Sequence, residues 1–423
     1  MSLTEKDNQF LWHPYTQHKT ASAPIAITKG RGALLWDEND KEYIDAIASW
    51  WVNPYGHSNT YIADAIYKQL TTLEHVLFGG FTHEPAVVLA EKLMAILPKN
   101  QQKLFFSDNG STAVEVAIKV ALQYFFNKGE KKTTIIAFEN AFHGDTFAAM
   151  AASGISFYTL AFQSMMIDVV RIPVPVEGQE EVSSDALAEV LKNHNCAGFI
   201  YEPLVQGAAG MVMYEPTALD TLIRMCKDNN VLTIADEVMT GFGKTGKTFA
   251  SDYLVEQPDM MCLSKALTGG TIPMAITTFT QTIFDAFYDE DINKALFHGH
   301  TFTANPTGCA AALASLELLQ TPEMQANILR VNANHLAFEK RVKSHPKVVT
   351  TRVLGVIFAL EIKTESAASY YGNLRNKLYN FFIENGVILR PVGNIVYILP
   401  PYIITDEQLE KVYQVVESAL EIV

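Results

Sequence analysis

The chain has few cysteines, few charged side chains and no hydrophobic run of bilayer length. Its 423 residues include only four cysteines, which are far apart and form no C-x-x-C pair. A disulfide framework and a cysteine zinc site are therefore not expected, nor is any other metal site, and a reducing cytoplasm is the expected location. Cys309 is interpreted as a buried small hydrophobe, with a catalytic thiol as the alternative.

Membrane and nucleic-acid functions are also disfavoured. A spanning helix needs about 20 apolar residues in a row, and no such run occurs. Residues 1–12 have no apolar stretch behind a basic start, so we expect no signal peptide. The net charge of −14 argues against nucleic acid or an anionic membrane as partner. A local group of backbone N–H donors can still bind a small anion, so small-molecule partners are expected.

The order of apolar patterns predicts an α/β fold. With 48% hydrophobic residues the chain can build a large core and more than one structural unit. Between about residues 60 and 320, helical and strand patterns alternate, which is typical of a mostly parallel sheet covered by helices. The clearest predicted helices are 62–73, 85–97 and 112–126. The predicted strands are 103–107, 133–138, 198–201, 231–235 and 272–278.

Both ends of the chain have a different pattern. Residues 30–45 are typical of a hairpin with a polar turn. Beyond residue 320 we predict an α+β unit, whose last helix follows Thr405 with Gln408 at capping-box spacing. Its other elements are helices at 322–345 and 371–384 and strands at 348–353, 357–362, 387–389 and 395–399. We therefore expect an N-terminal segment (1–50), a large domain (51–320) and a small C-terminal domain (321–423).

Lys265 and Asp236 carry the strongest chemical signal. Lys265 lies between apolar residues and a glycine pair, and Asp236 follows a run typical of a buried strand. An enclosed lysine tends to lose its proton, which makes its amine a nucleophile. Such an amine can condense with an aldehyde cofactor, while a nearby carboxylate holds a pyridinium nitrogen protonated. The two residues together indicate pyridoxal 5'-phosphate.

Three further segments follow predicted strands. Gly110 and Ser111 lie where a turn enters a helix, a typical anion site, although a plain helix cap is the alternative. Phe142 could stack on a planar ring beside His143; the alternative is a core phenylalanine next to a turn histidine. Glu202 lies at a strand end, where ligand sites gather, and could equally be a solvated loop acid.

In combination these segments resemble the class III aminotransferases of fold type I. The resemblance rests on the acidic pair at 236–237, the Gly-Phe-Gly-Lys-Thr-Gly loop at 241–246, the lysine segment 264–270 and the phosphate turn. It runs in order along nearly the whole chain. It implies a pyridoxal-phosphate-dependent transferase with a large domain, a smaller domain and a homodimer whose active sites lie at the subunit interface.

The resemblance also implies residue roles, with Lys265 and Asp236 as the catalytic pair. It implies cofactor contacts from eight residues: Lys265, Asp236, Gly110, Ser111, Phe142, His143, Glu202 and, across the subunit interface, Thr301. It implies a substrate pocket built by seven: Tyr15, Trp50, Trp51, Phe142, Asp145, Gly299 and Arg390. The planar guanidinium of Arg390 suits a carboxylate because it can form two parallel hydrogen bonds.

Short motifs narrow the implied substrates. Segments 12–16, 49–51, 299–302 and 399–402 resemble the biotin-pathway branch of the family, which implies 8-amino-7-oxononanoate as acceptor and S-adenosylmethionine as donor. Phe142 replaces a usual tyrosine and removes a hydroxyl from the donor side, so lysine stays open as donor. Further departures are Lys244 for arginine, Ser264 for glycine and His300 for proline. The alternatives are another class III ω-aminotransferase, such as a diamine–pyruvate enzyme, and a non-catalytic binding protein of this fold.

Overall fold

The fold is taken from a computed structural model, which describes residues 1–154, 159–364 and 373–423. The helices of these ranges are α1 (Leu3–Phe10), α2 (Ala48–Trp51), α3 (Thr60–Leu70), α4 (Glu84–Ile96), α5 (Gly110–Asn127), α6 (Phe147–Ala152), α7 (Glu180–Asn193), α8 (Pro216–Asp228), α9 (Gln281–Asp285), α10 (Pro306–Leu319), α11 (Pro322–Val342), α12 (Asn373–Glu384) and α13 (Asp406–Ile422). Short 3-10 turns lie at Leu160–Met165, Ala250–Tyr253, Lys265–Thr268 and Ile292–Lys294.

Sixteen strands accompany these helices in the described ranges. They are β1 (Ile27–Arg31), β2 (Leu34–Asp37), β3 (Glu42–Asp45), β4 (Gln101–Ser107), β5 (Thr134–Phe138), β6 (Val169–Ile172), β7 (Cys196–Tyr201), β8 (Val205–Gln206), β9 (Val212–Met213), β10 (Leu232–Asp236), β11 (Met260–Leu263), β12 (Ala275–Thr280), β13 (Val348–Leu354), β14 (Ile357–Ile362), β15 (Val387–Ile388) and β16 (Ile395–Ile398).

Seven of the strands form a central, mostly parallel sheet in the order β4-β12-β11-β10-β7-β5-β6. Every residue of β5, β7, β10 and β11 is buried, as expected for parallel strands covered by helices on both faces. Helix α5 packs on one face of this sheet, against β11 and β12. The predicted α/β architecture is confirmed.

One strand of the sheet runs against the others. Strand β12 pairs antiparallel with β11 and β4, and it begins at Ala275, three residues after the predicted start at 272. Only residues 264–274 separate it from β11. A parallel return needs a crossover of a dozen or more residues, so this short connection permits only a reversal. Strands β6 and β11 were not predicted.

The predicted terminal elements are present. Strands β2 and β3 form the expected hairpin, with β1 added at its edge, and Thr405 and Gln408 form the capping box of α13. Strands β13, β14 and β16 form an antiparallel sheet. Helix α12 begins at Asn373; residues 371 and 372 of its predicted span lie outside the described residues.

The N-terminal hairpin is joined to the C-terminal part of the chain. Strand β15 pairs parallel with β3, which completes a four-stranded sheet in the order β1-β2-β3-β15. A third contact follows directly, because Ala46 N–H donates to the carbonyl of Ile388 at 3.2 Å. The division into three parts at residues 50 and 320 stays a prediction.

Loop 241–246 connects the central sheet to the C-terminal strands. The hydroxyl of Tyr402 donates to the carbonyl of Phe242 at 2.7 Å, and Val356 N–H donates to the carbonyl of Lys244 at 2.9 Å. Gly355, with φ +58°, lies so close that an added Cβ would come within 2.3 Å of Gly246 N. This contact therefore requires a glycine at position 355.

The remaining composition-based interpretations concern cysteines and membranes. All four cysteines are buried and free, and burial raises the pKa of Cys309 to about 12, which agrees with its interpretation as a small hydrophobe. Within the described ranges, every helix is too short or too polar to cross a lipid bilayer.

Replacing Gly355 by alanine should destabilise the fold by about 2–4 kcal/mol, since it combines left-handed strain with a backbone clash. The measurement is the shift of the urea unfolding midpoint. Gly129→Ala is the matched control, because Gly129 also has positive φ (+76°) but has nothing within 4 Å of the added Cβ. If both variants lost the same amount of stability, the close contact between Gly355 and Gly246 would not be the cause.

Candidate active site

Two adjoining cavities lie at the carboxyl ends of the parallel strands, where ligands of such sheets bind. The first, of about 520 Å³, is lined by Lys265, Asp236, Glu202 and the start of α5. The second, of about 650 Å³, opens from it and is lined by Tyr15, Trp50, Asp145 and Arg390, among others. The two cavities share a wall that includes Trp51, Phe142 and Lys265.

Lys265 occupies the junction of the two cavities. It begins the turn Lys265–Thr268 with a positive φ of 49°, a strained value for a residue with a side chain. The turn is secured by the hydroxyl of Ser315 on α10, which donates to the carbonyl of Ala266 at 2.9 Å. The ammonium nitrogen lies 4.6 Å from the ring centre of Trp51.

The environment of Lys265 makes its amine easier to deprotonate than that of an exposed lysine. Burial lowers the pKa of Lys265 to about 8, although the negative charges of Asp236 and Glu202 act in the opposite direction. A minor but usable fraction of the amine is therefore neutral near pH 7, far more than in an exposed lysine. This is the property that the sequence predicted for an enclosed lysine.

Asp236 ends strand β10 and is paired with His143. Its Oδ2 accepts a hydrogen bond from Nδ1 of His143 at 2.7 Å, and its Oδ1 accepts one from Val238 N–H at 3.1 Å. Both side chains are buried. The contact fixes the histidine proton on Nδ1 and orients the carboxylate towards the first cavity, which both residues line.

Glu202 is buried rather than solvated. Its two carboxylate oxygens accept the N–H groups of Phe142 and Gly207 at 3.0 and 2.9 Å, and the residue is 5% exposed. Burial raises its pKa to about 7, with the nearby Asp236 charge adding to the effect. The alternative of a solvated loop acid is therefore wrong.

The turn before α5 provides an anion site at a helix start. Asn109 caps the helix by accepting from Thr112 N–H, and Gly110 and Ser111 line the cavity. A Cβ on Gly110 would come within 2.7 Å of Val238, so only glycine fits there. The free N–H groups at this helix start favour an anion in the cavity.

Gly144 brings a second segment onto this turn. At φ +125°, its Cα lies so close that an added Cβ would be 2.3 Å from the Ser111 hydroxyl oxygen. The same hydroxyl accepts Thr146 N–H at 2.9 Å. Phe142, two residues earlier, is partly buried and lines both cavities, so it is not a simple core residue. Its stacking role stays a prediction.

The second cavity has aromatic walls and a guanidinium. The ring of Tyr15 meets that of Trp50 edge-on at 5.7 Å, and the tyrosine hydroxyl donates to Asp145. The guanidinium carbon of Arg390 lies 4.6 Å from the centre of the Trp50 ring. The cavity can therefore hold an elongated apolar molecule with an anionic group at one end.

Both tryptophans of the site lie on α2, a left-handed turn. The four residues Ala48–Trp51 have φ values of 46°, 46°, 70° and 72°. Left-handed backbone costs about 1–2 kcal/mol for each residue with a side chain. Four such residues in succession indicate that the surrounding structure holds the turn in place.

Gly299 and Thr301 are not in either cavity. Both are exposed on the loop before α10, and an added Cβ on Gly299 would have nothing within 4 Å. Next to them, His300 Nδ1 lies 3.6 Å from Asp108, a residue of the first cavity's wall. Thr301 is therefore accessible to a neighbouring subunit, and its contact with that subunit stays a prediction.

Several lining residues were missed by sequence reasoning. Asp108 and Asn109 adjoin the predicted phosphate turn, so that motif could have included them. Arg375 and Tyr397 line the second cavity from α12 and β16. They carry no local sequence signal, because only the packing of the C-terminal strands brings them to the site.

Lys244, one of the departures from the family pattern, lies behind the site. The residue is 1% exposed, and its ammonium donates to the carbonyl of Gly241 at 3.3 Å. Burial lowers its pKa to about 7, and the charge of Lys265 adds to this shift. Lys244 is therefore a buried amine and not a surface charge.

The first cavity fits pyridoxal phosphate by its donor set. The Asp236 carboxylate can hydrogen-bond a pyridinium nitrogen, and the Lys265 amine can condense with an aldehyde. The start of α5 can bind a phosphate through its free N–H groups. His143 also lines it, and its buried Nε2 has no hydrogen-bond partner among the described residues. An unmet buried polar atom beside a cavity indicates that a bound group completes the lining.

Comparisons with known proteins support the same class. The family model described as "Aminotransferase class-III" matches residues 15–420. The adenosylmethionine-8-amino-7-oxononanoate aminotransferase of Synechococcus elongatus is 43% identical over 419 residues, covering 97% of this chain and 98% of the relative. The enzyme of the same name from Staphylococcus aureus is 33% identical, covering 99% of this chain and 97% of the relative.

Solved structures of aminotransferases also have the same fold as this chain. The crystal structure of the Methanocaldococcus jannaschii adenosylmethionine-8-amino-7-oxononanoate aminotransferase matches with a TM-score of 0.94 at 33% identity, covering 99% of this chain and 98% of that one. The ω-transaminase of Pseudomonas jessenii in complex with PMP matches with a TM-score of 0.92 at 28% identity, covering 100% and 98%.

Replacing Glu202 by glutamine should change how stability depends on pH. The carboxyl pKa is raised from its usual 4.5 to about 7 in the folded chain, so folding favours the protonated acid. The wild-type protein therefore loses stability as the pH rises from about 4.5 to 7, and the glutamine variant lacks this loss. We expect the variant's stability relative to wild type to rise by up to ~3 kcal/mol over that interval.

The measurement is chemical unfolding of the cofactor-free protein at pH 5, 6, 7 and 8. Glu42→Gln, at the exposed first position of β3, is the control and should leave the pH profile unchanged. A difference between Glu202→Gln and wild type that does not depend on pH would refute this titration.

Proposed function

The chain belongs to the class III aminotransferase family, and we propose that it transfers an amino group to 8-amino-7-oxononanoate, which yields 7,8-diaminononanoate in biotin biosynthesis. The observation that carries this proposal is the pairing of the two cavities. A reactive lysine at their junction lies next to a second cavity with aromatic walls and with Arg390 in its lining. An acceptor with a ketone, an aliphatic chain and a terminal carboxylate matches that order of groups.

The protein is a pyridoxal-phosphate-dependent enzyme, and the residues of the first cavity would hold the cofactor. Lys265 would react with the cofactor's aldehyde, and Asp236 would hydrogen-bond its ring nitrogen. Gly110 and Ser111 would bind its phosphate. When bound, pyridoxal phosphate supplies an electron-accepting ring that makes the bond between hydrogen and the amine-bearing carbon easier to break. Because His143 hydrogen-bonds Asp236, the carboxylate is held in one orientation for this task.

Lys265 moves the proton in each half of the reaction. With a pKa of about 8, its amine nitrogen can accept a proton from the donor's amine-bearing carbon and later return one to the acceptor's carbon. The ring of Trp51 lies 4.6 Å from this nitrogen, on the wall that both cavities share. The donor and acceptor use the same cavities in turn, so ping-pong kinetics are expected.

S-adenosylmethionine is the proposed donor, with lysine as the second candidate. The names of the relatives from Synechococcus elongatus and Staphylococcus aureus support the first. The second is kept because Phe142, on the wall shared by both cavities, cannot offer the hydroxyl of a tyrosine.

A homodimer in the cytoplasm completes the proposal. Its support is the loop of Gly299 and Thr301, which is exposed and outside this chain's own cavities. In a dimer this loop would reach the neighbouring subunit's cofactor phosphate. Sedimentation of the purified protein tests the subunit number.

The purified enzyme should form the diamine from 8-amino-7-oxononanoate with S-adenosylmethionine or lysine supplied separately. Lys265→Ala should lose at least about 10²–10⁴-fold in turnover, since it removes the proton-transferring base. Borohydride treatment of the cofactor-loaded wild type should place the cofactor's mass on the peptide that contains Lys265. Near-normal turnover of Lys265→Ala, or no diamine with either donor, would overturn the assignment.

Arg390→Ala should raise the KM for the oxo-acid acceptor about 10²-fold, because the carboxylate loses two charge-assisted hydrogen bonds. The donor half-reaction, followed separately by single-turnover kinetics, should change little. Arg390→Lys is the control and should fall between wild type and alanine, since it keeps the charge but not the planar fork. Equal damage to both half-reactions would exclude Arg390 as the acceptor's clamp.

A further inference from the structure

A mostly buried hydrogen-bond network beside the second cavity holds the left-handed turn α2. Its centre is Asp45, which is 0% exposed at the end of β3. Its Oδ1 accepts Ile47 N–H at 3.2 Å, directly before the turn. Its Oδ2 accepts the hydroxyl of Ser49 at 2.8 Å, inside the turn. One carboxylate therefore holds the turn at its entry and in its interior.

His57 anchors this carboxylate. Its Nε2 lies 2.9 Å from Asp45 Oδ2, and its Nδ1 lies 3.0 Å from the amide nitrogen of Asn53, just past the turn. Because a carboxylate oxygen can only accept, Nε2 of His57 carries a proton and donates it to Asp45. His57 is itself fixed by two backbone hydrogen bonds to Gly32, at 3.1 and 2.7 Å.

The turn places one tryptophan ring against each of two cations of the site. Trp51 lies 4.6 Å from the Lys265 nitrogen, and its neighbour Trp50 lies 4.6 Å from the Arg390 guanidinium carbon. Since the two tryptophans are consecutive on a strained turn, any relaxation of its backbone would move both contacts at once. The spacing between the reactive amine and the guanidinium therefore depends on the turn.

We propose that His57, acting through Asp45, is a positioning residue that holds Trp50 and Trp51 and so sets the acceptor length that the site takes. His57 contacts no cavity and is not a catalytic residue. The effect on acceptor selection rests on the proposed function, whereas the effect on the tryptophans does not. The competing interpretation is an ordinary buried hydrogen bond that contributes to stability alone.

The first test follows the tryptophans in the cofactor-free protein. The chain has four, so the Trp12→Phe/Trp36→Phe background leaves only Trp50 and Trp51 to emit. In this background His57→Phe, which keeps a ring but removes both hydrogen bonds, should increase acrylamide quenching at least twofold. His57→Gln should restore most of the wild-type value, because its amide N–H can still donate to Asp45.

Tyr43→Phe is the matched control. It also removes a buried hydrogen bond to a carboxylate in the same sheet, from the Tyr43 hydroxyl to Asp37 at 2.9 Å, but it leaves the turn's contacts intact. It should leave quenching within experimental error of wild type. If His57→Phe and Tyr43→Phe behave alike, the positioning role is excluded.

The second test uses kinetics. In the cofactor-loaded enzyme, His57→Phe should raise the acceptor KM about tenfold and leave kcat within about threefold, since binding geometry changes and Lys265 remains. Its preference for 8-amino-7-oxononanoate over the homologue one methylene shorter should fall. In a Trp50→Ala background the same substitution should change KM less than about twofold, because both changes act on one contact.

The two tests separate the two proposals. If the wild-type enzyme does not use the acceptor, the proposed function fails, while the quenching data still decide the role of His57. If His57→Phe does not fold, Asp45→Asn replaces it, because an amide nitrogen then faces the donors of Ser49 and His57. A fall in kcat and a rise in KM by equal factors, with unchanged quenching, would overturn the positioning role.

Discussion

A partly buried amine and two buried carboxylates are gathered at one edge of an apolar sheet, and the rest of the site follows from this constraint. Burial makes charge costly for all three groups, so it lowers the pKa of Lys265 and raises that of Glu202. Each carboxylate is compensated locally: Asp236 by His143, and Glu202 by two backbone N–H groups. The result is an environment in which a proton can change position near neutral pH.

The sequence was sufficient to predict the two strands that carry the carboxylates, although not β11, which leads into Lys265. Strands buried on both faces are continuous apolar runs, and helices between them have a 3.6-residue period, so the alternation could be recognised. Asp236 and Glu202 were identified because polar residues that directly follow such strands must meet at one edge of the sheet. Lys265 was identified because its neighbours are apolar.

Features that depend on long-range packing could not be predicted. Strand β15 was predicted at 387–389, but nothing in the sequence indicated that it pairs with β3 near the opposite end of the chain. The left-handed turn at Ala48–Trp51 contains no glycine, so nothing in its composition indicated positive φ values. Arg375 reaches the second cavity only because α12 packs there. Glu202 was left open because burial is a property of the folded chain.

The parallel pairing of β3 with β15 has a consequence for the contact between Trp50 and Arg390 in the second cavity. Strand β3 leads directly into the turn that carries Trp50, and β15 leads within two residues to Arg390. The Trp50 ring and the Arg390 guanidinium therefore follow two adjacent, paired strands, although the two residues are far apart in the sequence. A fragment that lacks the first hairpin would leave β15 without its neighbouring strand. Arg390 would then lose both the strand pairing that precedes it and its contact with Trp50. Shortening the amino terminus past the hairpin should therefore disturb Arg390, although this residue lies near the opposite end of the chain.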